Sequence, residues 1–384
     1  MSDAGPDRLP HYVSAAPYDP RGAAPDSAPQ APQWRLVWRK LKRHRLAYLS
    51  GIFLLLLYAS LPFSEVIAPY ALEDRNADYL FAPPQAVHLF HKGEFIGPFV
   101  YGYKGVANLR LFRWDYVIDT QNIQQIRFFC SGPQYEFWGL WRGDFHLICP
   151  AENGTLHLFG TDRLGRDMLS RIIYGTRISL SIGLIGISIS FVLALLIGGM
   201  AGYFGGWMDN LTLRFIEVIR AMPELPLWMA LSAALPVTWS PLAVYAGLTV
   251  ILGLLDWPGL ARAVRARLMA LREEDYATAA ILMGAGPARL IGRHLLPNFM
   301  SHLIASATLS IPAMILGETA LSFLGLGMRP PVTSWGVLLV EAQNIGAISA
   351  YPWIMLPMLP VILVVLAFNF FGDGLRDAAD PYSQ

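Results

Sequence analysis

Residues 273–298 read EEDYATAAILMGAGPARLIGRHLLPN, a polar stretch set between long apolar runs. Its first part, from Glu273 to Met283, consists of good helix formers with acidic residues at the start, where they suit the helix dipole. The Gly284-Ala285-Gly286 run then ends that helix, and Pro287 fits the first turn of a second helix reaching about Leu296. We interpret 262–297 as a structured elbow outside the lipid, the alternative being a plain connecting loop.

The apolar runs on both sides of this elbow predict an all-α polytopic membrane protein. Only 15% of the 384 residues are charged, whereas soluble domains have about a quarter. A helix needs about 20 apolar residues to cross the hydrocarbon core. Six segments qualify: 46–68, 178–204, 222–239, 241–259, 298–324 and 351–372. Only Trp239 and Ser240 mark the junction of the third and fourth segments, which predicts a tight hairpin.

Basic residues set the expected orientation of these six spans. Six of them lie between Arg35 and Arg45, just before the first span, and six more lie between Arg262 and Arg293 in the elbow. Both groups are expected on the cytoplasmic side, with the N- and C-termini.

The start of the chain predicts a disordered cytoplasmic tail over 1–33, because it is rich in proline and has no apolar run. The basic segment and first span follow at 34–68. Net charge is +1, which gives no general reason to bind nucleic acid. The sequence has no G-x-x-x-x-G-K-[ST] phosphate loop.

Residues 69–157 are too long for a linker between two spans. Alternating apolar residues at 87–90, 95–103, 126–130 and 156–159 predict a small β-rich domain outside the membrane. Both cysteines of the chain, Cys130 and Cys149, fall within it. A disulfide is the favoured interpretation, and two buried free thiols are the alternative. No set of side chains suggests a metal site.

Two acids, Asp256 and Glu318, lie inside or near predicted spans, where exposure to lipid is costly. A substrate or proton role is one reading. The other is a bond between helices or, for Asp256, a place near the cytoplasmic end of the fourth span.

Several motifs resemble those of ATP-binding-cassette (ABC) importer permeases. Thr278-Ala279-Ala280-x3-Gly284, nine further residues and His294-x-Leu296-Pro297 resemble the EAA motif of that family. Thr278 and His294 depart from it, since the motif has Glu and Ile there. The dipeptide/oligopeptide (peptide/opine/nickel) subfamily is resembled by GTDRLGRD (160–167), YGTRIS (174–179), AGYFGG (201–206), ALSFLGLG (320–327), SWG (334–336) and GDGLRD (372–377).

The resemblance implies a type I importer permease core over 158–384, with the 69–157 region as a periplasmic insertion. It implies a multi-pass inner-membrane subunit that is not itself an enzyme and binds no cofactor, with ATP and Mg on two partner ATPase subunits. Further implied partners are a second homologous permease, a periplasmic solute-binding protein and the lipid bilayer. The implied ATPase-coupling residues are Asp275, Tyr276, Ala279, Ala280, Gly284, Leu296 and Pro297.

The function implied is import of a peptide or peptide-like solute, driven by ATP. One alternative is an ion-coupled secondary transporter using Asp256 and Glu318. Another is a membrane-anchored enzyme or receptor whose outer domain does the work. Inverted repeats would favour the former and a nucleophile or metal cluster the latter, and the sequence offers neither.

Overall fold

The computed structural model describes residues 33–108, 113–137, 141–152 and 154–379. The predicted tail lies outside the described residues, except for Gln33. Within the described ranges, five helical segments are long and apolar enough to cross a membrane: Arg45–Ile67, Met168–Phe204, Pro241–Leu271, Pro287–Phe323 and Pro352–Ala379.

The helices are numbered in chain order. Before the insertion they are α1 (Gln33–Arg43), α2 (Arg45–Ser60) and α3 (Ser64–Ile67). The central ones are α4 (Met168–Phe204), α5 (Gly206–Ala221), α6 (Glu224–Ala233) and α7 (Pro241–Leu271). The last ones are α8 (Asp275–Leu282), α9 (Pro287–Arg289), α10 (Leu296–Phe323), α11 (Trp335–Leu339), α12 (Ile345–Ala350) and α13 (Met358–Ala379).

The third predicted span, 222–239, is wrong as a single long helix. Helix α6 has ten residues, which at 1.5 Å per residue is about 15 Å and half the hydrocarbon core. Prolines explain the short length: Pro223 precedes its first turn and Pro236 follows its end. The expected tight hairpin is instead a seven-residue turn, 234–240, before α7.

The chain nevertheless returns across the bundle between α4 and α7, because these two helices run parallel. Ser181 bonds with Tyr245, Gly186 lies against Gly253, and Gly198 lies against Ala261. Contacts that advance together along both helices require parallel axes. The segment 205–240 therefore connects the end of α4 to the opposite level of the bundle, where α7 begins.

The other long helices fix two ends of the bundle. Arg177, early in α4, pairs with Glu65 just after α2, so α2 is antiparallel to α4. Helix α1 packs against the end of α13 in a cluster of Val37, Leu41, Ala47 and Ala378. The last turn of α4 meets the turn before α8, since Arg272 donates to the carbonyl of Tyr203. We call the end holding α1, α8 and the end of α13 the elbow end, and the other the insertion end.

Five antiparallel strands occupy the described part of the insertion. They are β1 (His88–His91), β2 (Glu94–Asn108), β3 (Arg113–Gln125), β4 (Arg127–Phe137) and β5 (Trp141–Cys149). The first three form one sheet in chain order and the last two a hairpin, in which Cys130 and Cys149 are joined by a disulfide. The ring of Phe137 in β4 lies 6.5 Å from that of Phe63, which brings the hairpin beside the end of α2.

The expected strand at 156–159 is wrong. Its backbone N–H groups bond to side chains instead of a neighbouring strand: Leu156 donates to the hydroxyl of Tyr70 and His157 to the amide oxygen of Gln85. These bonds tie the segment before α4 to the insertion.

Candidate functional site

Helix α8, at the centre of the elbow, has well-defined ends. Its first turn holds Asp275, directly after Glu273 and Glu274, at the positive end of the helix dipole. At the other end the N–H of Gly284 bonds to the carbonyl of Ile281, and the N–H of Ala285 to that of Ala280. This pair of bonds is the Schellman arrangement, which needs a left-handed residue. Gly284 has φ of +86°, which glycine adopts without strain.

One face of α8 is packed into the bundle. Ala277 and Ala280 are buried, and they touch side chains from α7, α10 and the residues that join α9 to α10. Small side chains let the helix approach closely. The cluster comprises Val264, Leu268, Ala277, Ala280, Leu290, Leu295, Phe299 and Leu303.

The prediction that Ala280 lies on a docking surface needs correction. Its exposure is 2%, because the position three residues after Ala277 falls on the same inward face. The opposite face carries exposed apolar side chains at the elbow end, with Leu282 and Met283 exposed by 83% and 81%. We call this set the elbow patch; it consists of Tyr276, Ala279, Ile281, Leu282 and Met283.

The remaining predicted elbow residues surround this patch to different degrees. Asp275, Gly284 and Pro297 are exposed, whereas Leu296 is half-buried against the cluster. The helix that starts at Pro287 does not stop at Leu296. A π-helical turn over Leu290–Leu295 carries it into α10, giving one continuous helical segment from 287 to 323.

Two further contacts fasten the elbow. The amide of Asn298 donates to the hydroxyl of Tyr276 over 2.9 Å, linking α8 to α10. Asp209 of α5 accepts a forked bond from Arg265 of α7. Helices α5, α7, α8 and α10 are thus connected near one end of the bundle.

Asp256 lies in the middle of α7, because that helix runs on to Leu271 beyond the predicted span end at 259. The hydroxyl of Ser190 donates to its carboxylate over 3.3 Å. The side chain lines a cavity of about 260 Å³ bounded by α5, α6, α7 and α10. Arg220 and Ser310 line the same cavity from other helices. No local sequence pattern predicts that these residues lie together.

Glu318 differs from Asp256 because it is fully buried between α4, α10 and α11. Ser179 donates to one of its carboxylate oxygens over 3.0 Å and Ser322 to the other over 2.8 Å. The backbone N–H of Trp335 donates in turn to the Ser179 hydroxyl. This network joins three helices, so the contacts of Glu318 agree with the interpretation that it bonds helices together.

A cluster of charges lies at the insertion end, just before α4. Asp162 is fully buried and pairs with Arg166 and Arg171. Glu341, after α11, lies 3.9 Å from both arginines, and burial raises the pKa of its carboxyl. Glu341 is distant from Asp162 in sequence, and only the folded structure reveals its part in the cluster.

The geometry describes a membrane bundle with a connected elbow at one end, and comparison with known proteins identifies its class. Residues 194–382 match the binding-protein-dependent transport system inner membrane component. Residues 32–84 match the N-terminal transmembrane domain of oligopeptide transport permease C. The chain belongs to this family, and it is a multi-pass membrane permease of the ABC importer type.

Individual relatives narrow the subfamily. A putative peptide permease of Brucella suis is 40% identical over 59% of this chain and 74% of its own length. A di/tripeptide transport permease of Pseudomonas aeruginosa is 41% identical over 62% and 77%. The dipeptide transport permease of Bacillus subtilis is 39% identical over 59% and 68%. A solved structure of the methionine transporter MetNI matches with a TM-score of 0.43 and 21% identity, over 56% of this chain and 98% of that one.

The family resemblance predicted from the motifs is confirmed by these matches, as is the permease function. They give no support to the alternative of an ion-coupled secondary transporter.

Proposed function

We propose that the chain imports a peptide or peptide-like solute, with energy from ATP hydrolysed by separate subunits. The names of the relatives support a peptide substrate, since those proteins are described as peptide, dipeptide and di/tripeptide permeases. On this proposal the chain has no catalytic residue and binds no cofactor itself, and ATP and Mg belong to two ATPase partners. A second permease chain and a periplasmic solute-binding protein complete the importer.

The observation that carries the proposal is the elbow patch. Leu282 and Met283 lie at the end of a short helix that is flanked in sequence by charged residues, at the same end of the bundle as the basic α1. Exposed apolar side chains rimmed by polar ones are typical of a protein–protein contact. We assign the patch to one ATPase subunit, with Tyr276 and Ala279 at its edge and Ala280 acting from beneath through packing.

Force applied to the patch has a direct route into the bundle. Helix α8 is joined to α7 by a three-residue turn, and its inner face packs on residues that lead into α10. A rigid shift of α8 would therefore tilt α7 and α10 together. Pro258 lies inside α7 and Pro312 inside α10, and each removes one backbone hydrogen bond where a helix can bend.

The orientation follows the same proposal. The elbow end would face the cytoplasm, with both termini, because α1 and the elbow carry most of the basic residues that flank the spans. The insertion over 69–157 would then lie on the periplasmic side, as would its disulfide.

The test is co-purification of the ATPase subunits with a Leu282→Asp variant of the assembled importer. The Leu282 side chain is mostly exposed, so a carboxylate at this position should leave the fold intact. Docking of the ATPase subunit would bury that carboxylate, and burying an unpaired charge costs free energy. We expect loss of the ATPase subunit that docks on this patch, and loss of uptake. Ile345→Asp is the matched control, because Ile345 is equally exposed at 83% in α12 at the insertion end. Full retention of both ATPase subunits by Leu282→Asp would refute the docking assignment.

A further inference from the structure

The cavity that contains Asp256 has a mixed polar and apolar lining and is open on the side where Arg220 and Glu224 are exposed. Its lining includes Arg220 at the end of α5, Glu224 at the start of α6, and Asp256 of α7. Ser306 and Ser310 of α10 contribute hydroxyls, and the buried Trp228 contributes an aromatic wall. Residues from four helices thus converge on one space of about 260 Å³.

The depth of the cavity follows from the hydrogen bond between Ser190 and Asp256. Ser190 is 13 residues from Arg177 and 14 from the end of α4 at Phe204, about 20 Å in each direction at 1.5 Å per residue. No charged residue occurs in α4 between Arg177 and Phe204. Asp256 therefore lies near the middle of the membrane, where an ionisable side chain needs a compensating role.

The chain breaks its helical path at this depth. Helix α5 ends at Ala221 and α6 begins at Glu224, with Met222 and Pro223 between them in extended conformation. Interrupted helices near the bilayer midplane commonly build solute sites in transporters. Here the break places Arg220 and Glu224 on the same cavity, four positions apart.

The cavity is lined by side chains of both charge signs, and these side chains do not form salt bridges with one another. Among the described residues, no salt bridge within 4 Å joins Arg220 to Glu224 or to Asp256. A guanidinium is suited to a carboxylate ligand, and two carboxylates are suited to an ammonium ligand. A ligand with both groups close together would satisfy the whole set.

We propose that this cavity is the subsite that receives the charged ends of a short zwitterionic peptide during transport, an inference that rests on the proposed function. Arg220 binds the terminal carboxylate, and Asp256 with Glu224 binds the terminal ammonium. The seryl hydroxyls of α10 bond to the peptide backbone between them. The volume is slightly below the roughly 300–1,000 Å³ of sites for drug-sized ligands, which suits a dipeptide or tripeptide.

The experiment measures uptake of radiolabelled Ala-Ala-Ala and of its C-terminal amide by the complete importer in proteoliposomes, with the binding protein and ATP. For each permease variant, the ratio of the two rates is divided by the wild-type ratio, which cancels the preference of the binding protein. Arg220→Gln is expected to lower this relative ratio about tenfold or more, since a bond between two charged groups contributes that much. The N-acetylated peptide gives the corresponding ratio for Asp256→Asn.

Arg214→Gln is the matched control, because Arg214 lies on the same helix and pairs with Glu217 on an exposed surface away from the cavity. Its relative ratio should stay within about twofold of wild type. Arg220→Lys retains the charge and should restore part of the discrimination, which a merely misfolded Arg220→Gln variant would not predict. An Arg220→Gln importer with undiminished uptake and an unchanged ratio would overturn the subsite assignment.

Failure of the proposed function would look different. A wild-type complex that hydrolyses ATP but takes up no peptide would reject the peptide substrate, whatever the cavity variants do. Normal peptide uptake with unchanged selectivity in both Arg220→Gln and Asp256→Asn would reject the subsite and leave the permease function intact.

Discussion

At the scale of single residues, Gly284 and Gly286 make an informative pair. Both lie in the turn after α8, and neither has any atom within 4 Å of where a Cβ would be. They differ in backbone conformation, because φ is +86° at Gly284 and −73° at Gly286. Space is thus available at both, and only the first position requires the left-handed region.

We therefore expect Gly284→Ala to destabilise the end of α8 by about 1–2 kcal/mol, the cost of a left-handed conformation for a residue with a Cβ. Gly286→Ala should be neutral. The amount of ATPase subunit retained by each purified variant checks this, and Gly284→Asn should recover most of it because asparagine tolerates the left-handed region. Equal behaviour of the two alanine variants would contradict the role given to the turn.

Glu318 offers a second test at this scale. Substitutions there distinguish a structural role, in which its carboxylate accepts hydrogen bonds, from a role in proton coupling. Glu318→Gln keeps an oxygen to accept one serine hydroxyl bond, so we expect folding and ATP-driven uptake within about threefold of wild type. Glu318→Ala leaves both hydroxyls without their acceptor and should cost about 1–3 kcal/mol. Thermal unfolding in detergent measures the difference. Loss of transport in a stable Glu318→Gln complex would instead favour a titrating role.

At the scale of elements, the contact between α4 and α7 depends on where glycine occurs. A Cβ at Gly198 would meet the backbone carbonyl oxygen of Ala261 at 2.4 Å, whereas one at Gly199 would approach nothing closer than Leu268 at 3.8 Å. Small residues allow membrane helices to approach this closely. The parallel pairing that places the elbow therefore depends on one of two adjacent glycines.

Gly198→Ala should push α4 and α7 apart at a cost of about 1–3 kcal/mol, the usual range for overpacking. Gly199→Ala should be tolerated and is the neighbouring control in the same helix turn. The melting temperature of the purified permease measures both effects. Similar melting temperatures for the two variants would mean that the helices separate without cost and that the close contact is not needed.

Local signals explain which elements were predictable. The acidic start and the glycine turn predicted a helix within 273–283, and α8 occupies 275–282. The inward direction of Ala280 was not predictable, since it depends on the side of α8 that meets α7 and α10. The hydropathy of 222–239 also led to a wrong prediction of one long helix. An average over a window does not detect prolines, and here Pro223 and Pro236 lie on either side of a ten-residue helix. The cavity at Asp256 required four helices to be assembled first.

At the scale of the whole molecule, the parallel course of α4 and α7 determines how many times the chain crosses the membrane. Five long helices alone would leave the two termini on opposite sides. The packing of α1 on the end of α13 places the two ends of the described chain at the same end of the bundle, and we therefore propose that 205–240 forms the additional crossing. Helix α6 buries only Trp228 and Ser232 against the described bundle, and most of the broken segment around it is exposed in this chain.

This topology can be tested with single cysteines, because the two native cysteines are bonded to each other. Val237, in the turn between α6 and α7, is 76% exposed, and Ala279 is exposed on α8. A membrane-impermeant maleimide applied to intact spheroplasts should label Val237→Cys and should label Ala279→Cys only after the membrane is opened. With 205–240 as a crossing, the two positions lie on opposite sides. Labelling of both positions from the same side would show that 205–240 does not cross the membrane. It would also contradict the cytoplasmic location of the elbow, through which ATP hydrolysis is proposed to act.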